Sequence, residues 1–352
     1  MVGARISTHA ALASIIVACG SVALAGPLDR SIVDPNAVWL VHVDVDAAKG
    51  SPVGQHMVTH MQNERHGPLA RMECELGISP SKNLKAVTVF ALPTMVSEGI
   101  VIFTTDDAAD HLGERLSAAN SKSYRTEKTP QGVPVHVWRT RRGEMRAAVY
   151  PGRRSGERFL VLADSASELE AGVASLTSRA AAAESAMPAA EPAPGSIVFF
   201  TSGDLNHLPG QEPPKAAILQ ASRSLVLDVG ETPAAPNSAA RMYGNVVINT
   251  DDAAAATKVK QMSQGILALL TSPGDQPAAE RELMNQIIEN VKIATDDHRC
   301  MITSDHDAEI FAKAMDALME KNAAAMKARH EARDRSKQDD APVSLQAKEA
   351  RK

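Results

Sequence analysis

Aromatic residues are scarce in this chain: two tryptophans, three tyrosines and six phenylalanines make up 3% of 352 positions. A core must therefore be assembled from Val, Leu, Ile, Ala and Met, which bury less area per residue than aromatic rings do. Cysteine is also rare. With Cys19 inside the leader described below, only Cys74 and Cys300 remain, too few for a disulfide-built scaffold. In an oxidising compartment these two could form one bridge joining the halves of the chain; as buried free thiols they would act as small hydrophobes. Beyond residue 25 no run approaches 18 apolar residues, so no membrane span is expected once the leader is removed. Missing too are G-x-S-x-G, a Walker loop, H-E-x-x-H, C-x-x-C and G-x-G-x-x-G. The corresponding nucleophile, phosphate, zinc-protease, thiol-redox and dinucleotide chemistries lose their usual sequence signatures.

The first 25 residues read as a secretory signal, with Arg5 in the n-region, an apolar stretch over 10–18, and Ala23-Leu24-Ala25 before Gly26-Pro27. Ile16-Val17-Ala18-Cys19 also resembles a bacterial lipobox, which would make Cys19 a lipidated residue. The chain stays apolar over 22–25, as a c-region does, and this favours cleavage after Ala25. The expected location is secreted or periplasmic, with a lipid-anchored envelope protein as the alternative. Net charge is −5, and −6 after Arg5 is lost with the leader. It is uneven: residues 321–352 carry nine Lys/Arg against five Asp/Glu, net +4, leaving −10 on the body. An acidic body does not suggest nucleic acid as a partner.

One pattern occurs twice. Residues 99–109 (GIVIFTTDDAA) and 244–254 (GNVVINTDDAA) stand 145 positions apart. In each, glycine opens an apolar run, Thr-Asp-Asp follows, and an Ala-rich helix begins. Short acids at that junction suit the free N–H groups and positive end of a helix start. A second landmark, 163–169 (ADSASEL) and 304–310 (SDHDAEI), recurs at an offset of 141. A period-two strand is predicted over 38–45 and further strands over 84–92, 99–105, 133–139, 144–150 and 158–163, with helices after Ser51-Pro52, near 68–76, after Asp107, and after Ser165 with Glu168 completing a capping box. The second half repeats this order, with strands at 197–201, 224–229 and 242–250, helices at 214–221, 253–269 and 278–288, and a hairpin at 291–304 turned through Asp296-Asp297.

The expected fold is α+β: two tandem related units, each an antiparallel or mixed sheet with helices on one face, in an elaborated ferredoxin-like βαββαβ order. The boundaries are a first unit at 26–179, an Ala/Pro-rich linker at 180–195, a second unit at 196–320, and a charged tail at 321–352 without packed structure. The layout resembles secreted bacterial proteins of uncharacterised function with a signal peptide and repeated strand–Asp-rich cap–helix units. That resemblance implies no activity and no site residues.

Four groups of residues could carry chemistry. His56, His60 and His66 match the spacing of the metzincin zinc proteases, HExxHxxGxxH, but Met57 stands where the general base belongs and Asn63 where the turn glycine does. A non-catalytic zinc site is what remains of that resemblance, beside histidines flanking the Val53–Met57–Met61 apolar stripe. His42, Asp44 and Asp46 alternate on the first strand and could hold a hard cation or pair an acid with a base; the ordinary meaning of that pattern, and the reading taken here, is a wet sheet face. Asp296-Asp297-His298 and Asp305-His306-Asp307 read as turn and cap residues. Ser79-Pro80-Ser81-Lys82 fits S-x-x-K without the companion motifs of the penicillin-recognising enzymes. Finally, seven arginines fall within residues 139–158, among them Arg141, Arg142, Arg153 and Arg154. On a meander they would suit an anionic envelope polymer, or protect a sheet edge. The function expected is a non-enzymatic binding or scaffold protein of the envelope, contacting such a polymer or another envelope protein; the alternative is a metal-dependent hydrolase.

Overall fold

A computed structural model describes residues 28–55, 68–95, 99–120, 122–140, 143–177, 187–203, 205, 217–232, 239–270 and 278–313. The strands are β1 (Trp39–Asp44), β2 (Leu84–Ala91), β3 (Ile100–Thr105), β4 (Arg125–Lys128), β5 (Pro134–Arg139), β6 (Glu144–Pro151), β7 (Arg158–Ala163), β8 (Ser196–Ser202), β9 (Ser224–Thr232), β10 (Arg241–Asn249), β11 (Val291–Asp296) and β12 (Arg299–Asp307). The helices are α1 (Val45–Lys49), α2 (Pro68–Leu76), α3 (Leu112–Ala119), α4 (Ala166–Thr177), α5 (Ala217–Gln220), α6 (Ala253–Leu270) and α7 (Ala278–Glu289). The protein is α+β, built on one 12-stranded sheet in the order β11-β12-β10-β9-β8-β1-β2-β3-β7-β6-β5-β4. Each neighbouring pair is antiparallel.

The strand β1 sits where the two halves of the chain meet. Val41 faces Val89 of β2 on one side and Phe200 of β8 on the other. All six of its residues are buried, as expected for a strand covered on both faces. On β3, Ile100 and Ile102 join a core with Val135, Val137, Phe159, Val161 and the α4 residues Leu169 and Val173. The alternate residues Val101 and Phe103 turn to a second core with Leu76 and the α3 residues Leu112 and Leu116. Side chains alternate across a strand, so these cores lie on opposite faces. Helices therefore cover both faces, not the single face expected from the sequence. Gly172 makes the α4 approach possible: a Cβ there would come within 2.6 Å of Val161 Cγ1 and 2.8 Å of Ile100 Cγ2.

The ferredoxin-like arrangement is not what the sheet forms. A split βαβ unit places a third strand between two parallel ones, whereas β1, β2 and β3 are neighbours in chain order and antiparallel. Strand β4 was not legible in the sequence. Its four residues, Arg-Thr-Glu-Lys, are half-buried or exposed, and hydrophobic alternation gives no signal for them. Residues 187–195 of the Ala/Pro-rich stretch lie against the fold. Met187 is buried, Arg30 donates to the carbonyl oxygens of Pro188 and Ala190, and Asp228 Oδ2 accepts from the Ala193 amide at 2.9 Å.

Helix starts use the expected acids. In the first Thr-Asp-Asp, Asp106 accepts from the Ala108 amide at 3.0 Å; in the second, Asp252 accepts from Ala255 at 2.7 Å. Both threonines are buried, and their hydroxyls donate to the carbonyls of Asp106 and Asp252 at 3.0 and 2.9 Å. Ser165 and Glu168 exchange the two bonds of a capping box. Asp307 accepts from the Glu309 amide at 2.8 Å.

Ser51 caps its helix as expected, accepting from the Gly54 amide at 3.2 Å, and also donates to Glu231 Oε2 of β9 at 2.7 Å. Both residues are buried, and burial pushes the Glu231 carboxyl above its ordinary range. Replacing Ser51 by Ala strands a buried carboxyl and a first-turn amide together, a loss of about 1–3 kcal/mol. Chemical denaturation should show this for Ser51→Ala and a smaller loss for Glu231→Gln, which keeps an acceptor. Equal midpoints for wild type and Ser51→Ala would show that the pair contributes nothing.

Candidate functional site

A cleft of about 380 Å³ opens where the segment leading into α3 crosses strands β5, β6 and β7. Its walls are Pro134, Val149 and Pro151, with Asp110, His136 and Arg158 as the polar groups. Alternation on the strands brings them together: His136 faces Ala147, and Val149 faces Leu160, on the α3 side of the sheet. The polar groups are held in fixed pairs. Arg158 donates through Nε and Nη2 to the two carboxylate oxygens of Asp110, at 2.7 and 2.8 Å. That fork holds the Asp110 carboxyl below its usual range and raises the guanidinium.

His136 Nδ1 lies 2.8 Å from the Tyr124 hydroxyl, with the two rings stacked at a centroid distance of 6.0 Å. Burial lowers the His136 pKa and raises that of Tyr124, so both are neutral at pH 7. A neutral pair is satisfied when the phenol donates to Nδ1, which places the imidazole proton on Nε2. Gly113 on α3 is required for this geometry. A Cβ there would stand 2.7 Å from His136 Cε1 and 3.2 Å from the Tyr124 hydroxyl. None of Asp110, Tyr124 or His136 carried a sequence signal. They meet only because a helix start, a short edge strand and a hairpin converge.

The β6–β7 turn continues one wall of the cleft beyond Pro151. Glu157 Oε2 accepts from the amides of Arg153 and Arg154 at 3.0 and 3.2 Å, which shapes the turn and leaves both arginine side chains exposed. Arg153 pairs with Asp29 at 3.1 Å. Arg141 and Arg142 lie outside the described residues. Of the other arginines in that stretch, Arg139 and Arg146 stand toward the opposite end of the β5–β6 hairpin. Arg146 belongs to a four-membered network with Glu127, Glu144 and Arg125, with contacts of 2.5–2.9 Å. Neighbours in sequence are thus divided between two ends of a hairpin.

The remaining candidates divide as follows. His56, His60, His66 and Cys19 lie outside the described residues. Cys74 and Cys300 are both free thiols, the first exposed on α2 and the second buried on β12, so neither the bridge nor the pair of buried thiols describes them. Cys300 packs with Ile248 and Val259. His42 and Asp44 are buried, which overturns the wet-face reading, and Asp46 is not on the strand at all but in α1, paired with Lys49 at 2.9 Å. His42 Nδ1 lies 3.0 Å from Thr88 Oγ1. Among the described residues no group of three or more His, Cys, Asp or Glu side chains is placed to hold a metal ion. The S-x-x-K stretch is a turn in which Asn83 accepts from the Ser79 amide at 3.0 Å and donates to Asp106 at 2.9 Å.

Asp44 ends β1 and accepts from the Ala47 amide at 2.7 Å, capping α1 from inside the core. Burial pushes its carboxyl from 3.8 up to about 7. The folded chain therefore keeps a proton there that the unfolded chain releases, and stability falls as pH rises from about 4 through 7. Asparagine preserves the cap without the ionisation. Asp44→Asn should gain on wild type across that window, by about 4 kcal/mol at pH 8, and show little gain near pH 4. Thermal unfolding at a series of pH values decides it; a pH-independent difference would contradict the assignment.

No family model matches the chain, and no curated protein matches it. Among solved structures, crystal form IV of TP0453 aligns over 83% of this chain and 96% of that chain, at 11% identity and a TM-score of 0.38. A likeness of that size carries no argument about fold or function.

Proposed function

We infer that the protein is a non-enzymatic binding protein of the cell envelope, secreted or periplasmic, whose site is the cleft between the α3 start and strands β5–β7. The observation that carries this reading is the state of the polar groups in the cleft. Asp110 is tied to Arg158, and His136 to Tyr124. Groups locked in mutual hydrogen bonds present a fixed surface, which suits recognition at low entropic cost. The ligand class is an anionic envelope polymer. Arg153 and Arg154 project from the turn that extends the cleft wall, and Arg158 lies within the cleft itself; guanidinium forks are matched to carboxylate, sulfate and phosphate groups.

The two halves are read as related units fused edge to edge. Support comes from the sheet order outward from the β1–β8 pair, β2-β3-β7 on one side and β9-β10-β12 on the other. In both halves a Thr-Asp-Asp follows the third strand counted from the centre. The body would then serve as the scaffold that presents the cleft.

A sulfated polymer tests the ligand class. On immobilised heparin the wild-type chain should be retained, and Arg153→Ala/Arg154→Ala should elute at lower salt, by the slope expected for the loss of about two anion contacts. Arg158→Ala should weaken retention further while freeing Asp110. Retention that is absent in wild type, or unmoved by all three changes, would remove the proposed ligand class.

A further inference from the structure

The sheet has two outer edges, and they are built differently. At one end, β4 is four residues long and covered by the Arg125–Glu127–Glu144–Arg146 ion-pair network, which is how natural sheets discourage further pairing. At the other end lies β11, Val-Lys-Ile-Ala-Thr-Asp, six residues without proline or bulge. Among the described residues only β12 pairs with it. Ala294, Thr295 and Asp296 are exposed. Helix α6 packs on β11 and β12 and carries Ile266 and Leu269, the large hydrophobic side chains left exposed among the described residues, at 50% and 75%.

We propose that the β11 edge is a homodimer interface, formed by antiparallel pairing with β11 of a second copy of this chain about a two-fold axis at Ala294. Three features select this occupant and this register. The β11–β12 hairpin turns through two residues, Asp297 and His298, so Asp296 and Arg299 close it as a hydrogen-bonded pair. Alternation then directs the amides of Lys292, Ala294 and Asp296 toward β12, and those of Val291, Ile293 and Thr295 outward. In a two-fold pair centred on Ala294, Ile293 of one copy meets Thr295 of the other, both with outward amide and carbonyl groups. The same register sets Lys292 opposite Asp296 twice, on one face. Neither residue has an ion-pair partner among the described residues, and opposite charges directly across an antiparallel pair are stabilising. A shift of the axis by one residue, to Ile293 or Thr295, loses both charge pairs. Finally, the helix packed on this edge strand leaves Ile266 and Leu269 exposed, apolar surface that a second copy would cover.

Sedimentation equilibrium of the full chain across a micromolar concentration series tests the proposal, with circular dichroism confirming that each variant folds. Wild type should be a concentration-dependent dimer. Thr295→Pro removes an outward donor without touching the β11–β12 ladder and should yield monomer. Lys292→Asp and Asp296→Lys alone place like charges across the axis, and each should raise the dissociation constant at least tenfold. The double exchange, Lys292→Asp with Asp296→Lys, should restore the dimer. A wild-type monomer at every concentration would overturn the interface. So would a dimer indifferent to Thr295→Pro and to the single reversals, and failure of the double exchange to restore dimer would overturn the register.

Discussion

The pairing of β1 with both β2 and β8 is the constraint on which the other features rest. A strand with neighbours on each edge and cores on each face satisfies its whole ladder and buries every side chain. Because β8 begins the second half of the chain, that one pairing turns two strand series into a continuous sheet, with no interface of the looser kind that separates domains. It also means that polar residues on β1 cannot reach solvent. His42 answers to Thr88, and Asp44 turns its carboxylate to the first amides of α1.

Buried acids recur as anchors between distant segments. Glu231 holds Ser51, 180 residues away, and Asp228 holds the Ala193 amide. In both, burial raises the carboxyl and hydrogen bonds to the ionised form oppose it. A core short of aromatic rings has less apolar area to spend on docking such segments, and specific polar ties supply geometry where bulk is missing. The same economy shows in the glycines. Gly172 lets α4 settle onto β3 and β7, and Gly113 lets α3 settle onto His136.

The cleft and the open edge occupy opposite ends of the molecule, the first beside β5–β7 and the second at β11. Pairing through β11 would leave the cleft of each copy uncovered and place two of them on one assembly. For a repetitive polymer this arrangement raises the effective concentration of the second contact once the first is made. A binding protein with modest single-site affinity gains from such doubling, so the two proposals are compatible while resting on different residues.

Local physics was legible in the residues themselves. Strand alternation, the Thr-Asp-Asp helix starts, the Ser165–Glu168 capping box, the Ser51 cap and the Asp297 turn are set by interactions within a few positions, so composition and spacing expose them. Whether a polar residue on a strand faces water was not legible, since His42 and Asp44 have the pattern of a wet face and are buried by α1, β2 and β8. Nor was the cleft: Asp110, Tyr124, His136 and Arg158 are spread over 49 positions and meet only when helix and hairpin pack. The sequence by itself determined most of the strands and the helix starts, because those preferences are local; β4, without hydrophobic alternation, and α1, hidden inside the first strand's alternation, were the exceptions. The tertiary structure alone decided strand order, which faces are covered and which charges meet. These depend on contacts between residues far apart in the chain, and alternation is silent about which strand lies beside which.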